Sequence, residues 1–436
     1  MAPKDTSGIK AKSTSRRSAA KVAHKGDRGT TFCRDHGQKG DAQHASTIPF
    51  ELQQLLVNIF KDSFSTQLMA DMSPLFQEVK QHLFNRNFAQ VFGSQKNLDA
   101  YAIRWSPSRA LAYLDIFCNL PYLEARLVRR ARGGTAMAET IEQPSARSAG
   151  RPSHAHVDDF GTPLKSYSEA QSISMKTAKI ACLGGGAGAE MIALAGYARH
   201  MHSSLRADSL SERKGPPINQ DSITEDILLS KLVVTLVDIA GWSSVVRDLF
   251  ESVIRSPPVS KYASSAAKAA NAPLVASEDF CCTFHQQDLL GLDVKDLAHL
   301  LKDTTLITIM FTLNELYSES MVKTTNLLLA LTYLSEKGTL LLVVDSPGSY
   351  STVAVGSSAD IPAHSTEPQK KYPMQWLLDH TLLEASTIGS SKNTDHERQW
   401  ERLVADDSRW FRLPDGLHYP IGLENMRYQM HLYRRL

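Results

Sequence analysis

Lys179-Ile180-Ala181-Cys182-Leu183-Gly184-Gly185-Gly186-Ala187-Gly188-Ala189-Glu190 is the stretch that decides how this chain is read. A short apolar run enters a glycine-dense turn, and Met191, Ile192, Leu194 and Ala195 continue at helical spacing. The pattern predicts a buried strand, a tight turn and a helix whose first N–H groups face an acidic ligand. Glycine suits the turn because a side chain would collide with a ligand lying against the backbone. Three readings fit these residues: a nicotinamide or flavin site, an S-adenosylmethionine site, or a glycine-rich turn that holds nothing.

Downstream, apolar β-branched runs alternate with helical patterns. Predicted strands are Lys179–Leu183, Lys231–Val237 closed by Asp238, Phe280–His285 followed by Asp288, Thr305–Leu313, and Thr339–Val344 closed by Asp345. Helical patterns between them include Trp242–Ile254 and Met321–Leu334. Near-continuous apolar strands separated by helices predict an α/β fold with a parallel sheet covered on both faces. Two late strands, near Trp410–Leu413 and Met426–Tyr433, have no helix between them. Met426, Tyr428, Met430 and Leu432 alternate with Arg427, Gln429, His431 and Tyr433, as an antiparallel strand does. The expectation is five parallel strands ending in an antiparallel pair.

Upstream, Leu52, Leu55, Leu56, Ile59, Phe60 and Phe64 recur at helical spacing after Pro49. A second helix is predicted from Ser73–Pro74 through Leu75, Val79 and Leu83. A third is predicted to start at Ser106–Pro107 and carry Leu111, Leu114 and Phe117. Residues 1–45 hold ten Lys and Arg against four Asp, a net charge of +6 in a chain whose total is +2. They are poor in large apolar residues and predict a disordered basic tail, which reads as an arm for RNA phosphates, a nuclear or nucleolar address, or a solubilising segment. The predicted organisation is therefore a tail at 1–45, a helical domain at 46–128, a linker or insertion at 129–175, and a ligand-binding domain at 176–436. Low-complexity insertions fall near 203–222, 256–278, 351–372 and 386–398.

Hydrophobic residues make up 42% and charged residues 22% of the 436, ordinary for a globular protein. No apolar run approaches the roughly 20 residues of a membrane span, and the first residues lack the apolar core of a secretory signal. Five cysteines without metal-ligand spacing predict a reducing compartment and no metal. No membrane partner is expected, and oligomeric state is not legible.

On this frame Asp238 ends the second strand, where a carboxylate accepts hydrogen bonds from ribose hydroxyls. Asp288 follows the third, where one can hold an adenine amino group. A dinucleotide reading fits less well: Ala189 occupies the third glycine position, and no second mononucleotide half follows. The spacing Cys182-x-Gly184-x-Gly186-x-Gly188 instead matches the acidic-x-Gly-x-Gly-x-Gly turn of class I S-adenosylmethionine-dependent methyltransferases. The late antiparallel pair is also similar to that fold. The expected cofactor is S-adenosyl-L-methionine, held by Cys182, Gly184, Gly186, Gly188, Glu190, Asp238, Asp288 and Asn314. Cys182 stands where an acid is usual, which leaves the methionine ammonium to Glu190 or to the carbonyl of Leu183.

Four blocks carry a narrower resemblance: Cys182–Glu190, Phe311-Thr312-Leu313-Asn314-Glu315-Leu316-Tyr317, Asp345-Ser346-Pro347-Gly348-Ser349-Tyr350, and Leu423-Glu424-Asn425-Met426-Arg427-Tyr428. With the helical preamble, they resemble a fungal family of methyltransferases that modify the N3 nitrogen of a uridine in 25S ribosomal RNA. The resemblance implies ribosomal RNA or pre-ribosomal particles as partner. It implies the nucleus and nucleolus as location, with the cytoplasm as a second compartment.

It brings no catalytic residues, so these come from chemistry. The uracil N3 imide must lose its proton to attack a methyl group. Asn314 and Glu315, just past the fourth strand, face the methyl position in this fold, and Asp345 ends the adjacent strand. Glu315 or Asp345 is the expected base and Asn314 the group that holds a uracil carbonyl. Tyr317, Tyr350 or Trp242 are candidates to stack on a ring. No Asn/Asp-Pro-Pro-aromatic block indicates adenine amino methylation, and no Pro-Cys nucleophile indicates carbon-5 chemistry. The competing readings are a methyltransferase acting on protein or a small molecule, a catalytically inactive RNA-binding assembly factor, and a nicotinamide-dependent oxidoreductase.

Overall fold

The computed structural model describes residues 48–131, 177–212, 226–269, 271–347, 352–355, 370–385 and 398–436. The helical preamble forms α1 (Phe50–Ser63), α2 (Ser73–Phe84), α3 (Phe88–Val91), α4 (Gln95–Cys118) and α5 (Pro121–Leu127). Next come β1 (Val128–Ala131), β2 (Thr177–Leu183), α6 (Ala189–Glu212), β3 (Asp226–Leu229) and β4 (Lys231–Asp238). Beyond them lie α7 (Ser243–Ile254), α8 (Ser265–Ala269), β5 (Phe280–Gln286), α9 (Val294–Leu301), β6 (Thr304–Met310), α10 (Leu313–Glu319), α11 (Met321–Leu334) and β7 (Leu340–Asp345). The chain closes with β8 (Thr352–Val355), β9 (Lys370–Pro373), α12 (Met374–Asp379), β10 (Trp400–Phe411) and β11 (Met426–Arg435).

Seven strands form one sheet in the order β10-β11-β7-β6-β2-β4-β5. The run from β7 to β5 is parallel, while β11 is antiparallel to both β7 and β10. This is the class I methyltransferase arrangement of five parallel strands and an antiparallel pair. All six residues of β7 are buried, because helices cover both faces of a parallel sheet. The helices before β1 share one core with one face of that sheet: Leu56, Leu114 and Phe117 lie in the same buried cluster as Ile180, Met191 and Leu236.

Several boundaries differ from the sequence reading. Ser106–Pro107 does not start a helix. Gln95 does, capped by Ser94, whose hydroxyl accepts from the Asn97 amide at 3.3 Å. Pro107 sits inside α4 and cannot donate to Ile103, four residues back. That carbonyl accepts the Tyr419 hydroxyl instead, at 2.9 Å. The fourth strand stops at Met310, because Phe311 turns into the left-handed region at φ +58 and its amide donates to Val344 O at 2.7 Å.

The first late strand begins at Trp400, ten residues earlier than Trp410. Along β11 the alternation fades, since Gln429, His431 and Tyr433 are buried along with their neighbours. Three of the expected insertions contain structure. Within 203–222, α6 continues to Glu212; within 256–278 lie α8 and the buried Leu274 and Val275; within 351–372, β8 pairs with β9. The expected tail, most of the 129–175 linker and nearly all of 386–398 lie outside the described residues.

Candidate active site

The glycine turn is tied to the carboxyl end of the neighbouring strand β4. Gly184 takes φ +87 and its amide donates to Val237 O at 2.7 Å. The Gly186 amide donates to Asp238 Oδ2 at 3.2 Å, while Asp238 Oδ1 accepts from the Ala240 amide at 3.0 Å. On the other side the Ser106 hydroxyl of α4 donates to Ala187 O at 2.9 Å. The preamble therefore touches the turn itself.

A cavity of about 500 Å³ opens over the carboxyl ends of β2, β4 and β6, within the size of small-molecule sites. Gly184, Glu190, Asp238, Asp288 and Glu315 line it, joined by Phe311 and Thr312. Phe88, Phe92, Tyr101, Arg109 and Tyr113 from α3, α4 and the turn between them complete the lining. Cys182, Gly186, Gly188, Asn314 and Asp345 do not line it and lie behind the wall.

The glycines behind the wall make room for protein. A Cβ at Gly186 would lie 2.0 Å from Trp242 Cδ1, and one at Gly188 would lie 2.5 Å from Leu249 Cδ1. Trp242 is buried beneath the turn as well as lining the cavity. Tyr317, the other ring described, is buried on the opposite face of the sheet and does not reach the cavity. Tyr350 lies outside the described residues.

Glu190 brings its carboxylate over Cys182. A Cβ at Gly185 would sit 2.6 Å from Glu190 Oε2 and 2.9 Å from Cys182 Cβ. Thr308 in the central strand donates to Glu190 Oε1 at 2.5 Å. Burial raises the Glu190 pKa to about 7, against the opposing pull of the Thr308 bond. Burial, and then Glu190 itself, push the Cys182 thiol well above its usual range. A buried carboxylate at a cavity wall favours a cationic ligand, whose charge offsets the cost of ionising it. With Asp238 at the end of β4 and Asp288 also lining the cavity, this set of carboxylate acceptors fits an ammonium- and sulfonium-bearing nucleoside.

The candidate bases differ sharply. Asp345 is 2% exposed, and both its oxygens are engaged: Oδ2 accepts from the Asn314 amide at 3.1 Å and Oδ1 from the Ser346 amide at 2.7 Å. Burial raises its pKa to about 6. Glu315, in the first turn of α10, faces the cavity. Burial and then the like charge of Asp345 raise its pKa to about 8, while Arg109 and Arg86 pull it down. The Arg109 guanidinium donates to the Tyr101 hydroxyl and lies 4.8 Å over the Phe311 ring.

Sequence reasoning missed Arg109, Tyr101 and Tyr113. Their signal was present in a four-residue spacing, Tyr101, Trp105, Arg109, Tyr113, that aligns three rings and a guanidinium on one helix face. Among the described residues no group of three or more His, Cys, Asp or Glu is gathered for a metal ion, and no helix is long and apolar enough to cross a membrane.

The family described as "Putative SAM-dependent methyltransferase" matches residues 60–434. The 25S rRNA (uridine(2843)-N(3))-methyltransferase of Saccharomyces cerevisiae is 28% identical over 403 residues, covering 89% of this chain and 86% of the yeast protein. Among solved structures, a SAM-dependent methyltransferase from Methanosarcina mazei matches at TM-score 0.29 and 12% identity, over 60% of this chain and 94% of that one. The 16S rRNA (adenine(1408)-N(1))-methyltransferase from Catenulisporales acidiphilia matches at TM-score 0.26 and 10% identity, over 59% and 88%. Sequence, strand order and cavity agree: the chain belongs to this family of S-adenosylmethionine-dependent methyltransferases.

Proposed function

We propose that this protein transfers a methyl group to the N3 nitrogen of a uridine in large-subunit ribosomal RNA. The observation that carries this reading is the similarity to the yeast 25S ribosomal RNA enzyme along nearly the whole chain. Glu190 receives the methionine ammonium, Asp238 the ribose hydroxyls and Asp288 the adenine amino group. S-adenosylmethionine, when bound, supplies an electrophilic methyl on sulfur. The chain must then present N3 in line and take its proton.

Glu315 is the group placed to take that proton. It faces the cavity, and its pKa of about 8 gives a base strong enough for an imide while still ionised in part near neutrality. Arg109, on the same wall, offers its guanidinium to the uracil oxygen that gains charge as N3 is deprotonated. Asp345 acts through α10, holding the Asn314 amide and thereby the helix turn that carries Glu315. Asn314 lies behind the wall and supports that turn through its amide. The basic stretch 1–45 provides an RNA-binding or nucleolar segment, and the nucleolus is the proposed location.

Incubation with 25S ribosomal RNA lacking base methylation, followed by nucleoside mass analysis, tests the reading. The expected product is 3-methyluridine. A protein that binds S-adenosylhomocysteine and RNA yet forms no methylated nucleoside would be an inactive assembly factor. Methylation of copurifying protein or small molecules alone would move it to another substrate class.

A further inference from the structure

Beyond the carboxyl end of β7 the antiparallel pair β10–β11 overhangs the sheet. Asp345, the last residue of β7, is level with Gln429, so the first residues of β11 extend past it. On that overhang Trp410 pairs across the strands with Arg427 and is 47% exposed, unusual for the largest apolar side chain. Arg412 lies 5.2 Å and Arg427 5.8 Å from its ring centroid. Both arginines are exposed, and Arg427 is oriented by donating to Ser408 Oγ at 2.9 Å.

Arg427 also lines a second cavity of about 210 Å³, walled by Arg109, Trp105, Phe311, Asn425 and Arg104, the last of these paired with Glu424 in the same wall. Arg109 and Phe311 line the cofactor cavity as well, so the two spaces adjoin at the stacked pair. An exposed ring flanked by guanidiniums therefore leads into an arginine-lined recess that borders the methyl-transfer site. Aromatic faces bind successive bases, and arginines track the phosphates between them. Open α/β sheets take their ligands on this side.

Resting on the ribosomal RNA reading above, we infer that the Trp410–Arg412–Arg427 overhang and the recess beneath it form the docking track for single-stranded RNA flanking the target uridine. A neighbouring base stacks on Trp410, Arg412 and Arg427 hold phosphates, and the strand passes over the recess to the Arg109–Phe311 pair.

The test uses the full-length protein and a uridine-containing single-stranded RNA oligonucleotide, with binding read by fluorescence anisotropy over a salt series. S-adenosylhomocysteine affinity is measured alongside. Trp410→Ala is expected to weaken RNA binding roughly 5- to 150-fold, as loss of one stacked base does, with Trp410→Phe retaining most of the affinity. Arg412→Ala and Arg427→Ala should each reduce the slope of log affinity against log salt by roughly 0.7. Cofactor affinity should be unchanged in all of them. Trp376→Ala, which removes another exposed ring on α12, should leave RNA binding as it was.

Unaltered RNA affinity in Trp410→Ala across the salt series overturns the docking track, as does an equal loss in Trp376→Ala. The reading of the reaction fails separately, if the wild-type protein forms no 3-methyluridine. RNA binding is scored without reference to which atom is methylated.

Discussion

The Thr308 hydroxyl donates to Glu190 Oε1 at 2.5 Å, joining the central strand β6 to the first turn of the helix after the glycine turn. This bond fixes a buried carboxylate over Cys182 and explains how the site keeps an acid where the strand itself offers a thiol.

Glu190→Gln should weaken S-adenosylmethionine about tenfold to a hundredfold, the effect of losing one charge-assisted bond. Because a bound cation favours the ionised carboxylate, wild-type affinity should rise as pH increases through about 7. The glutamine variant should lose that rise. The sign for stability is opposite. A carboxyl whose folded pKa is raised contributes stability that is full below its unfolded value and is lost as pH climbs toward about 7. Calorimetry across pH checks the affinity, and thermal melts of the cofactor-free protein against Glu190→Gln check the stability.

Gly186→Ala should destabilise the fold as well as the site. The added methyl would collide with the Trp242 indole, and overpacking of this kind costs about 1–3 kcal/mol. A lower Tm with shifted indole fluorescence is the expected outcome. An unchanged melt would mean that Trp242 does not occupy the floor of the turn.

Asp238→Ala removes the proposed ribose acceptor and leaves the Gly186 and Ala240 amides without their carboxylate. Cofactor binding should weaken by about 1–3 kcal/mol. Titration calorimetry with S-adenosylhomocysteine measures it, and wild-type affinity would show that β4 does not supply the ribose contact.

Glu315→Gln should bind cofactor normally and slow single-turnover methyl transfer about 10²–10⁴-fold, the usual worth of general-base assistance. Wild-type rate should climb with pH through about 8 as Glu315 ionises. The variant should lack that inflection and recover partly at higher pH, where more uracil is ionised by solvent. Asp345→Asn should instead lower Tm, because it loosens the amides of Asn314 and Ser346, and should move the rate inflection below about 8, because the like charge that raises Glu315 is gone. An unslowed Glu315→Gln would place the base elsewhere.

The strand-turn-helix around Gly184 to Glu190, the parallel sheet and its antiparallel ending were legible in the sequence. Each follows from spacing along the chain: apolar runs for strands, period 3.6 for helices, glycine where the backbone turns at φ +87. Asp238, Asp288 and Glu315 could be placed in the cavity for the same reason, since a residue just past a parallel strand emerges on the ligand side.

Tertiary structure alone decided the rest. Arg109 and Tyr113 reach the cavity because α4, which precedes the glycine turn in the chain, packs on the sheet and hydrogen-bonds the turn through Ser106. Cα distances along the sequence carry no trace of that approach. Asp345 reads as a second base from its place at a strand end, yet its oxygens are committed to two backbone amides. Gly186 reads as space for a cofactor, yet Trp242 fills that space from the loop after the neighbouring strand. Local periodicity sets what each element is. Which side chain faces a ligand and which one holds the wall depends on non-local packing, which sequence spacing does not encode.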